Sequence, residues 1–181
     1  MIGVGSTVGN YVVRSVLGEG GMGRVWLAEH PLIGRKMAVK VIHPDYVRNP
    51  EALSRFFTEA LAATRIGHNG IIDITDYGTT PDGEAYFVME YLDGGSLSQT
   101  VAQRRLGLVE IVEFGAQLTD AVGAAHASGI LHRDLKPDNV FLLPRGTGFQ
   151  VKILDFGLAK LTDGAQMVAH RTNYGAIMGT P

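Results

Sequence analysis

The stretch from Ile130 to Leu142 carries three side chains whose types and spacing fit one kind of chemistry. Asp134 can accept a proton from a hydroxyl nucleophile, Lys136 can balance charge on a moving phosphoryl group, and Asn139 can ligate a metal ion through its amide oxygen. Short apolar runs before and after these residues predict two strands that bound a rigid loop. Together the three roles indicate phosphoryl transfer, and a charged hairpin loop is the plainer alternative.

A glycine-rich turn between two predicted strands is the second feature that fits phosphate chemistry. Tyr11–Leu17 and Trp26–Ala28 have the composition of strands, and residues 18–25 between them run Gly-Glu-Gly-Gly-Met-Gly-Arg-Val. Glycines here let backbone N–H groups approach phosphates without a Cβ in the way. A dinucleotide-binding turn needs a helix after the glycines and a P-loop needs a closing Gly-Lys-Ser/Thr, so the hairpin favours neither. A merely flexible turn is the simpler explanation.

Lys40 is the one charge inside the apolar run Met37–Ile42, which predicts a third strand. A lysine in this setting either extends its ammonium group to solvent or has a buried anionic partner. The sequence that follows this strand offers one candidate for that partner.

The candidate is Glu59, in a helix predicted over roughly residues 50–66. Asn49 is a suitable N-cap, Pro50 suits the first turn, and Gly67 suits the end of the helix. Glu59 is the only charge on the apolar stripe of this helix, so a buried Glu59 would need a cation such as Lys40. At the edge of the stripe it would face water instead.

Five features in this order form a specific pattern. They are G-x-G-x-x-G-x-V at 18–25, Lys40, Glu59, H-R-D-L-x-x-x-N at 132–139 and D-F-G at 155–157. From about Tyr11 to Pro181 the chain therefore resembles the eukaryotic-type (Hanks-type) serine/threonine protein kinases. Lys136 and Gly179-Thr180-Pro181 are similar to the Ser/Thr rather than the Tyr kinases, and Gly-Glu-Gly-Gly-Met-Gly is similar to the bacterial members.

The resemblance implies a chemical role for each residue of the loop. Asp134 would orient the acceptor hydroxyl and take its proton, and Lys136 would stabilise the transferring phosphoryl group. Asn139, a third catalytic position, would hold Mg²⁺ together with Asp155. Arg133 would offer a cation to a phosphate on the segment after Asp155, with Thr172 as the preferred acceptor.

The resemblance also implies an ATP site. Lys40, paired with Glu59, would bind the α- and β-phosphates, Met89 would be the gatekeeper, and Glu90-Tyr91-Leu92 would be the hinge that binds adenine. The implied ATP-binding residues are Leu17, Gly18, Gly20, Gly23, Val25, Ala38, Lys40, Glu59, Met89, Glu90, Leu92 and Phe141.

The resemblance and the predicted elements together give an α+β, bilobal, protein kinase-like fold. The kinase domain would occupy residues 1–181, with an N-lobe of about 8–92 and a C-lobe of about 93–181. Further strands at Ile71–Tyr77 and Ala85–Glu90 would complete a five-stranded antiparallel N-lobe with its helix. A helix from Leu106 to Ala127 and a strand at Gln150–Leu154 would belong to the C-lobe. The sequence stops before the family's Ala-Pro-Glu motif, so we expect a partial, mainly helical C-lobe.

Composition excludes several other classes of protein. The 181 residues are 45% hydrophobic with a net charge of −2, which predicts a globular protein without a basic surface for nucleic acid. There is no cysteine for a disulfide framework, and no apolar run reaches the roughly 18 residues of a membrane span. We expect a cytoplasmic location.

The predicted function is transfer of the ATP γ-phosphoryl group to Ser/Thr hydroxyls of protein substrates, with ATP and Mg²⁺ as cofactors. Two alternatives stay open, a nucleotide-binding module without transfer activity and an interaction module without nucleotide. We expect the sequence to be either a fragment of a longer kinase or a truncated product. Because Val109 and Val112 lie on a second apolar face of the helix, self-association through an uncovered C-lobe is also expected.

Overall fold

The structure, a computed structural model, describes residues 2–47 and 49–155, except the side chains of Arg55 and Glu59. These residues fall into two units. The first unit holds the residues up to 64 together with 72–93, and the second holds residues 65–71 together with those from 94 onward. The residues after Asp155, among them Thr172, lie outside the described part of the chain.

The first unit is built on an antiparallel sheet of six strands. The strands are β1 Thr7–Val8, β2 Tyr11–Gly20, β3 Gly23–Glu29, β4 Lys36–Ile42, β5 Ile74–Thr79 and β6 Ala85–Glu90, in the spatial order β1-β2-β3-β4-β6-β5. The five predicted strands are present, and β1 is an additional edge strand that pairs with the start of β2. β5 begins at Ile74 instead of the predicted Ile71, because Ile71 pairs with Ile153.

Burial on both faces of the central strand explains its apolar sequence. Every residue of β4 after Lys36 is buried, as expected for a strand covered on two sides. One face contributes to a core with Val13, Trp26 and Val88. On β6, next to β4, the ring of Phe87 lies 4.8 Å from that of Phe56, which is fully buried on a helix.

That helix confirms the prediction made from its capping residues. A short helix, α1 Pro44–Val47, precedes α2 Pro50–Ile66. The Oδ1 atom of Asn49 accepts hydrogen bonds from the backbone N–H groups of Glu51 and Ala52 at 3.0 and 3.2 Å, which satisfies donors that the first turn leaves unpaired. Glu59 lies on α2, but its side chain is outside the described atoms, so its pairing with Lys40 stays a prediction.

The second unit combines helices with a small sheet. Its strands are β7 Gly95–Ser96, β8 Val140–Arg145 and β9 Gly148–Ile153, paired antiparallel in that order. Its helices are α3 Leu97–Gln103, α4 Leu108–Ala127 and a 3₁₀ turn, Pro137–Asn139. The predicted strand at Ile130-Leu131 is wrong, because these residues form the irregular start of the loop and pair with no strand in the described part of the chain. α3 and β7 were not predicted.

Helix α4 packs on β9 through an apolar stripe and one amide. Phe114 and Leu118 contact the core formed by apolar residues of β8 and β9. Between them Gln117 donates from Nε2 to the Phe149 carbonyl at 2.9 Å and accepts the Val151 N–H at 2.8 Å. Ile111, near the start of α4, is 51% exposed, whereas Ala121 and Ala125 toward its C-terminal end are buried.

Residues 67–71, which follow α2, bind β9. The Ile153 N–H donates to the Gly70 carbonyl at 2.8 Å, and the buried Lys152 donates from Nζ to the Ile71 carbonyl at 3.1 Å. His68 lies 3.2 Å from the Asp120 carboxylate of α4. These contacts fix the strand that leads to Asp155.

Candidate active site

The loop that carries the candidate catalytic residues begins where α4 ends. Gly129 has φ of 72° and turns the chain after the helix, as glycine does at many helix C-termini. His132 follows, 6% exposed, and its Nε2–H donates to the Leu154 carbonyl at 2.8 Å. Its Nδ1 accepts the Asp134 N–H at 3.3 Å, so the neutral ring uses both nitrogens. Burial lowers the pKa of His132, which favours this neutral form.

Asp134, Lys136 and Asn139 form one hydrogen-bonded group. Lys136 Nζ lies 3.0 Å from Asp134 Oδ2. The buried Asn139 donates from Nδ2 to the Asp134 carbonyl at 2.9 Å and to Asp134 Oδ2 at 3.3 Å. The hydrogen bond and charge of Asp134 raise the pKa of Lys136, so the ammonium form is favoured. The structure thus brings together the three residues that the sequence singled out for chemistry.

A backbone hydrogen bond connects the residue before Asp155 to Asn139. The Leu154 N–H donates to the Asn139 carbonyl at 2.8 Å, which joins the residue before Asp155 to the candidate catalytic loop. Arg133 and Asp155 have φ of 61° and 48°, a left-handed conformation that is uncommon outside glycine and concentrates at functional sites. Within the described residues, no group of three or more His, Cys, Asp or Glu side chains is arranged to hold a metal ion.

The glycine-rich turn belongs to the first unit. β2 and β3 pair up to Gly20 and Gly23, and Glu19 lies opposite Arg24 at the base of the turn, where their side chains form a two-pronged ion pair at 2.9 Å. The Arg24 guanidinium lowers the pKa of Glu19. A Cβ on Gly23 would lie 2.2 Å from the Val41 carbonyl oxygen, so only glycine allows this turn to approach β4 so closely.

Lys40 is buried in β4, as predicted for a lysine with a role inside the protein. It is 8% exposed, pairs across strands with Val25 and Phe87, and holds its Nζ 5.5 Å from the centre of the Phe87 ring. A cation at this distance is stabilised by the aromatic face. The structure therefore excludes the alternative in which this side chain simply extends to solvent.

The remaining predicted nucleotide residues occupy defined places in both units. Ala38 pairs with Met89, and both are buried. The Glu90 carboxylate accepts the Asp73 N–H at 2.9 Å. Leu17 is 45% exposed on β2 beside Gly18, and Leu92 and Phe141 are half-buried, Phe141 on β8 of the second unit.

One contact of the catalytic loop was missed by sequence reasoning. Ser98, on α3, donates from Oγ to Asp138 Oδ1 at 2.7 Å. Ser96 caps this helix in a reciprocal capping box with Gln99. The spacing Ser-x-x-Gln is a start signal for a helix, and it would have predicted α3 and placed Ser98 in its first turn.

Comparisons with known proteins find relatives over almost the whole chain. The family described as protein kinase domain matches residues 11–180. The chain is 47% identical over 181 residues to the serine/threonine-protein kinase Pkn1 of Myxococcus xanthus, which covers 98% of this chain and 25% of Pkn1. It is 39% identical over 183 residues to PknA of Mycobacterium tuberculosis, with 98% of this chain and 41% of PknA covered.

A solved structure has the same fold. The crystal structure of the M. tuberculosis PknI kinase domain superposes with a TM-score of 0.72 at 32% identity, and the match covers 88% of this chain and 63% of that one. The chain thus spans a quarter to two fifths of the two relatives' length and under two thirds of the PknI kinase domain. Within residues 2–47 and 49–155, no helix combines the length and apolar character needed to span a membrane.

Proposed function

We propose that this chain, which belongs to the protein kinase family and is similar to its bacterial serine/threonine members, supplies the nucleotide site and catalytic loop of a protein kinase. The protein would transfer the γ-phosphoryl group of ATP to Ser or Thr hydroxyls of other proteins. The observation that carries the proposal is the placement of Lys136 Nζ and Asn139 Nδ2 on the carboxylate of Asp134, at 3.0 and 3.3 Å.

Asp134 is the proposed proton acceptor. The acceptor hydroxyl oxygen forms a bond to the γ-phosphorus while the bond from that phosphorus to the bridging oxygen of ADP breaks, and the hydroxyl proton passes to the carboxylate. Lys136 contacts the same carboxylate and keeps its positive charge, so it is placed to balance charge on the transferring group. Asn139 holds the Asp134 backbone and carboxylate in position.

Protein kinases as a family use ATP and Mg²⁺, and the donor set of this loop fits the metal. The Asn139 amide nitrogen is engaged by Asp134, so the amide oxygen is the atom left for a cation. Asp155, an exposed carboxylate whose neighbour Leu154 is bonded to Asn139, would be the second ligand. Bound Mg²⁺ would neutralise charge on the phosphates.

The first unit would bind the nucleotide. Gly20, Gly21 and Gly23 leave Met22 as the only side chain in residues 20–23, so the N–H groups of the turn can face phosphate. Lys40, buried in β4, would bind the phosphates, and Glu59 would be its partner. Ala38 and Met89, adjacent on β4 and β6, would contact adenine, whose edge would bind the backbone near Glu90.

The test compares two aspartates of the same loop in the full-length protein. Asp134→Asn removes the proposed base, and Asp138→Asn, four residues away, removes a carboxylate that binds Ser98. With labelled ATP and Mg²⁺, we expect Asp134→Asn to lower the rate of transfer to protein Ser/Thr by about 10²-fold or more. Asp138→Asn should retain most of the rate.

Three results would contradict the proposal in different ways. Equal rates of phosphoryl transfer in Asp134→Asn and the wild-type protein would show that Asp134 is not the proton acceptor. ATP binding without transfer by the wild-type protein would indicate a nucleotide-binding module. Absence of ATP binding, measured by titration with and without Mg²⁺, would indicate an interaction module.

A further inference from the structure

His43, which the catalytic motifs do not include, holds the tip of the glycine-rich turn. It follows the last residue of β4, and its half-buried ring donates from Nε2 to the Gly20 carbonyl at 3.1 Å. A carbonyl oxygen can only accept, so Nε2 carries the proton. The backbone N–H of His43 also donates, to the Met22 carbonyl at 3.0 Å. His43 therefore binds the carbonyl groups of Gly20 and Met22, the residues on either side of Gly21.

The glycine-rich turn lies against the end of β4, within hydrogen-bond distance of His43. Gly23 pairs with Ile42, the residue before His43. The charged groups that face the His43 ring come from the two strands of the hairpin. Glu19 Oε1 lies 3.9 Å from His43 Nε2, and Arg24 binds Glu19 at 2.9 Å.

Peptide geometry connects these carbonyl contacts to the phosphate-facing side of the turn. A trans peptide directs its C=O and N–H to opposite sides, and the described part of the chain has no cis peptide bond. The Gly20 carbonyl and the Gly21 N–H share one peptide plane. When His43 holds the carbonyl, the Gly21 N–H must point away from His43. The bond to Met22 fixes the peptide plane of Met22 and Gly23 in the same way.

We propose that His43 is a positioning residue that orients the peptide groups of the glycine-rich turn for the phosphates of ATP. The inference rests on the proposed function, since it assumes that this turn binds nucleotide. His43 would act through Gly20 and Met22 and not by contact with the reacting atoms. Without the ring, the Gly20–Gly21 peptide can rotate, and nucleotide binding must then restrict it.

Two substitutions separate the hydrogen bond from the volume of the ring. His43→Phe keeps an aromatic ring and removes the donor, whereas His43→Gln keeps an N–H donor at similar reach. In the full-length protein, His43→Phe should raise KM for ATP about three- to tenfold, the range expected for one hydrogen bond. KM for the protein substrate should stay within about twofold of wild type, and His43→Gln should restore most of the affinity for ATP.

His30→Phe is the matched control, because His30 follows β3 at its other end and stacks edge-to-face on Tyr11 at 5.7 Å. It should leave KM for ATP unchanged. A purely structural role of His43 would lower the active fraction, and hence kcat, without a selective change in KM for ATP. That pattern, or a wild-type KM for ATP in His43→Phe, or a defect of equal size in His43→Gln, would overturn the proposal.

A measurement without nucleotide keeps this test separate from the proposed function. If the wild-type protein transfers no phosphate, the proposed function fails. In that case ¹⁵N relaxation of the Gly21 amide tests the positioning role of His43. A lower order parameter in His43→Phe than in wild type and His43→Gln supports the positioning role, and equal values in all three overturn it.

Discussion

Replacing Asn139 by aspartate would place a second negative charge against Asp134. In the wild-type protein the Asn139 Nδ2 donates to Asp134 Oδ2 at 3.3 Å and to the Asp134 carbonyl at 2.9 Å. Asn139→Asp turns this donor into a carboxylate oxygen that faces two acceptors. Asn139→Ala is the matched control, because it loses the same two hydrogen bonds and adds no charge.

The distance sets the size of the repulsion. Two unit charges 3.3 Å apart repel by about 5 kcal/mol at an effective dielectric constant of about 20. Asp134 is 31% exposed, and Lys136 binds the same oxygen at 3.0 Å, so water and the ammonium group reduce this value. We expect Asn139→Asp to be less stable than Asn139→Ala by about 2 kcal/mol at pH 8.

The pH dependence distinguishes repulsion from lost packing. As the pH falls, one carboxyl of the pair takes up a proton in the folded protein before it would in the unfolded chain, and the repulsion disappears. The difference between Asn139→Asp and Asn139→Ala in urea unfolding should therefore shrink between pH 8 and pH 5. Mg²⁺ with ATP should also reduce it, since a bound cation offsets the added charge.

A difference between the two variants that does not change with pH would refute this reasoning. It would mean that the aspartate at position 139 turns away from Asp134 or loses stability through packing alone. Asn139→Asp that is stabler than Asn139→Ala at pH 8 in the absence of metal would refute it as well.

Three further predictions concern the second unit. Arg104 and the Gly107 N–H hold the pKa of Glu110 at about 2. The Glu110 carboxylate therefore stabilises the fold fully above its ordinary pKa of 4.5 and loses this effect as the pH falls toward 2. The urea midpoints of the wild-type protein and Glu110→Gln should converge near pH 2. Gln117→Leu leaves two buried backbone groups of β9 unpaired and should lower the unfolding free energy by about 2–4 kcal/mol. Burial lowers the pKa of His132, so stability should fall as the pH drops below 6.5, and His132→Phe should lack that slope.

The elements that the sequence predicted well are those with local signals. Helix α2 has the predicted limits. Its start is marked by the cap at Asn49 and by Pro50 in the first turn, and its end by Gly67, whose φ is 57°. The kinase-like α+β fold is confirmed by the match to the PknI kinase domain. The roles assigned to the individual site residues stay predictions.

Short strands were harder, because a strand of two residues is defined by a distant partner. β1 exists through its pairing with Tyr11 and Val12, and β7 through Phe141 and Leu142. Ile130-Leu131 has the composition of a strand and has no strand partner up to Asp155, where the described residues end. Composition thus predicts a strand only where the rest of the chain supplies an edge to pair with.

The placement of Asp155 depends on contacts that no local pattern contains. The alternating apolar residues around Lys152 predicted a strand, and a lysine in that strand would ordinarily be placed on a solvent face. Lys152 is instead 7% exposed, and its Nζ binds the Ile71 carbonyl, 81 positions earlier in the sequence.

The Ile153 N–H binds the Gly70 carbonyl, and the Leu154 N–H binds the Asn139 carbonyl. Residues 67–71 therefore hold Lys152 and Ile153, and the candidate catalytic loop holds Leu154. Asp155 follows directly after these contacts, so substitutions at Gly70 or Lys152 should move the proposed metal ligand without touching it.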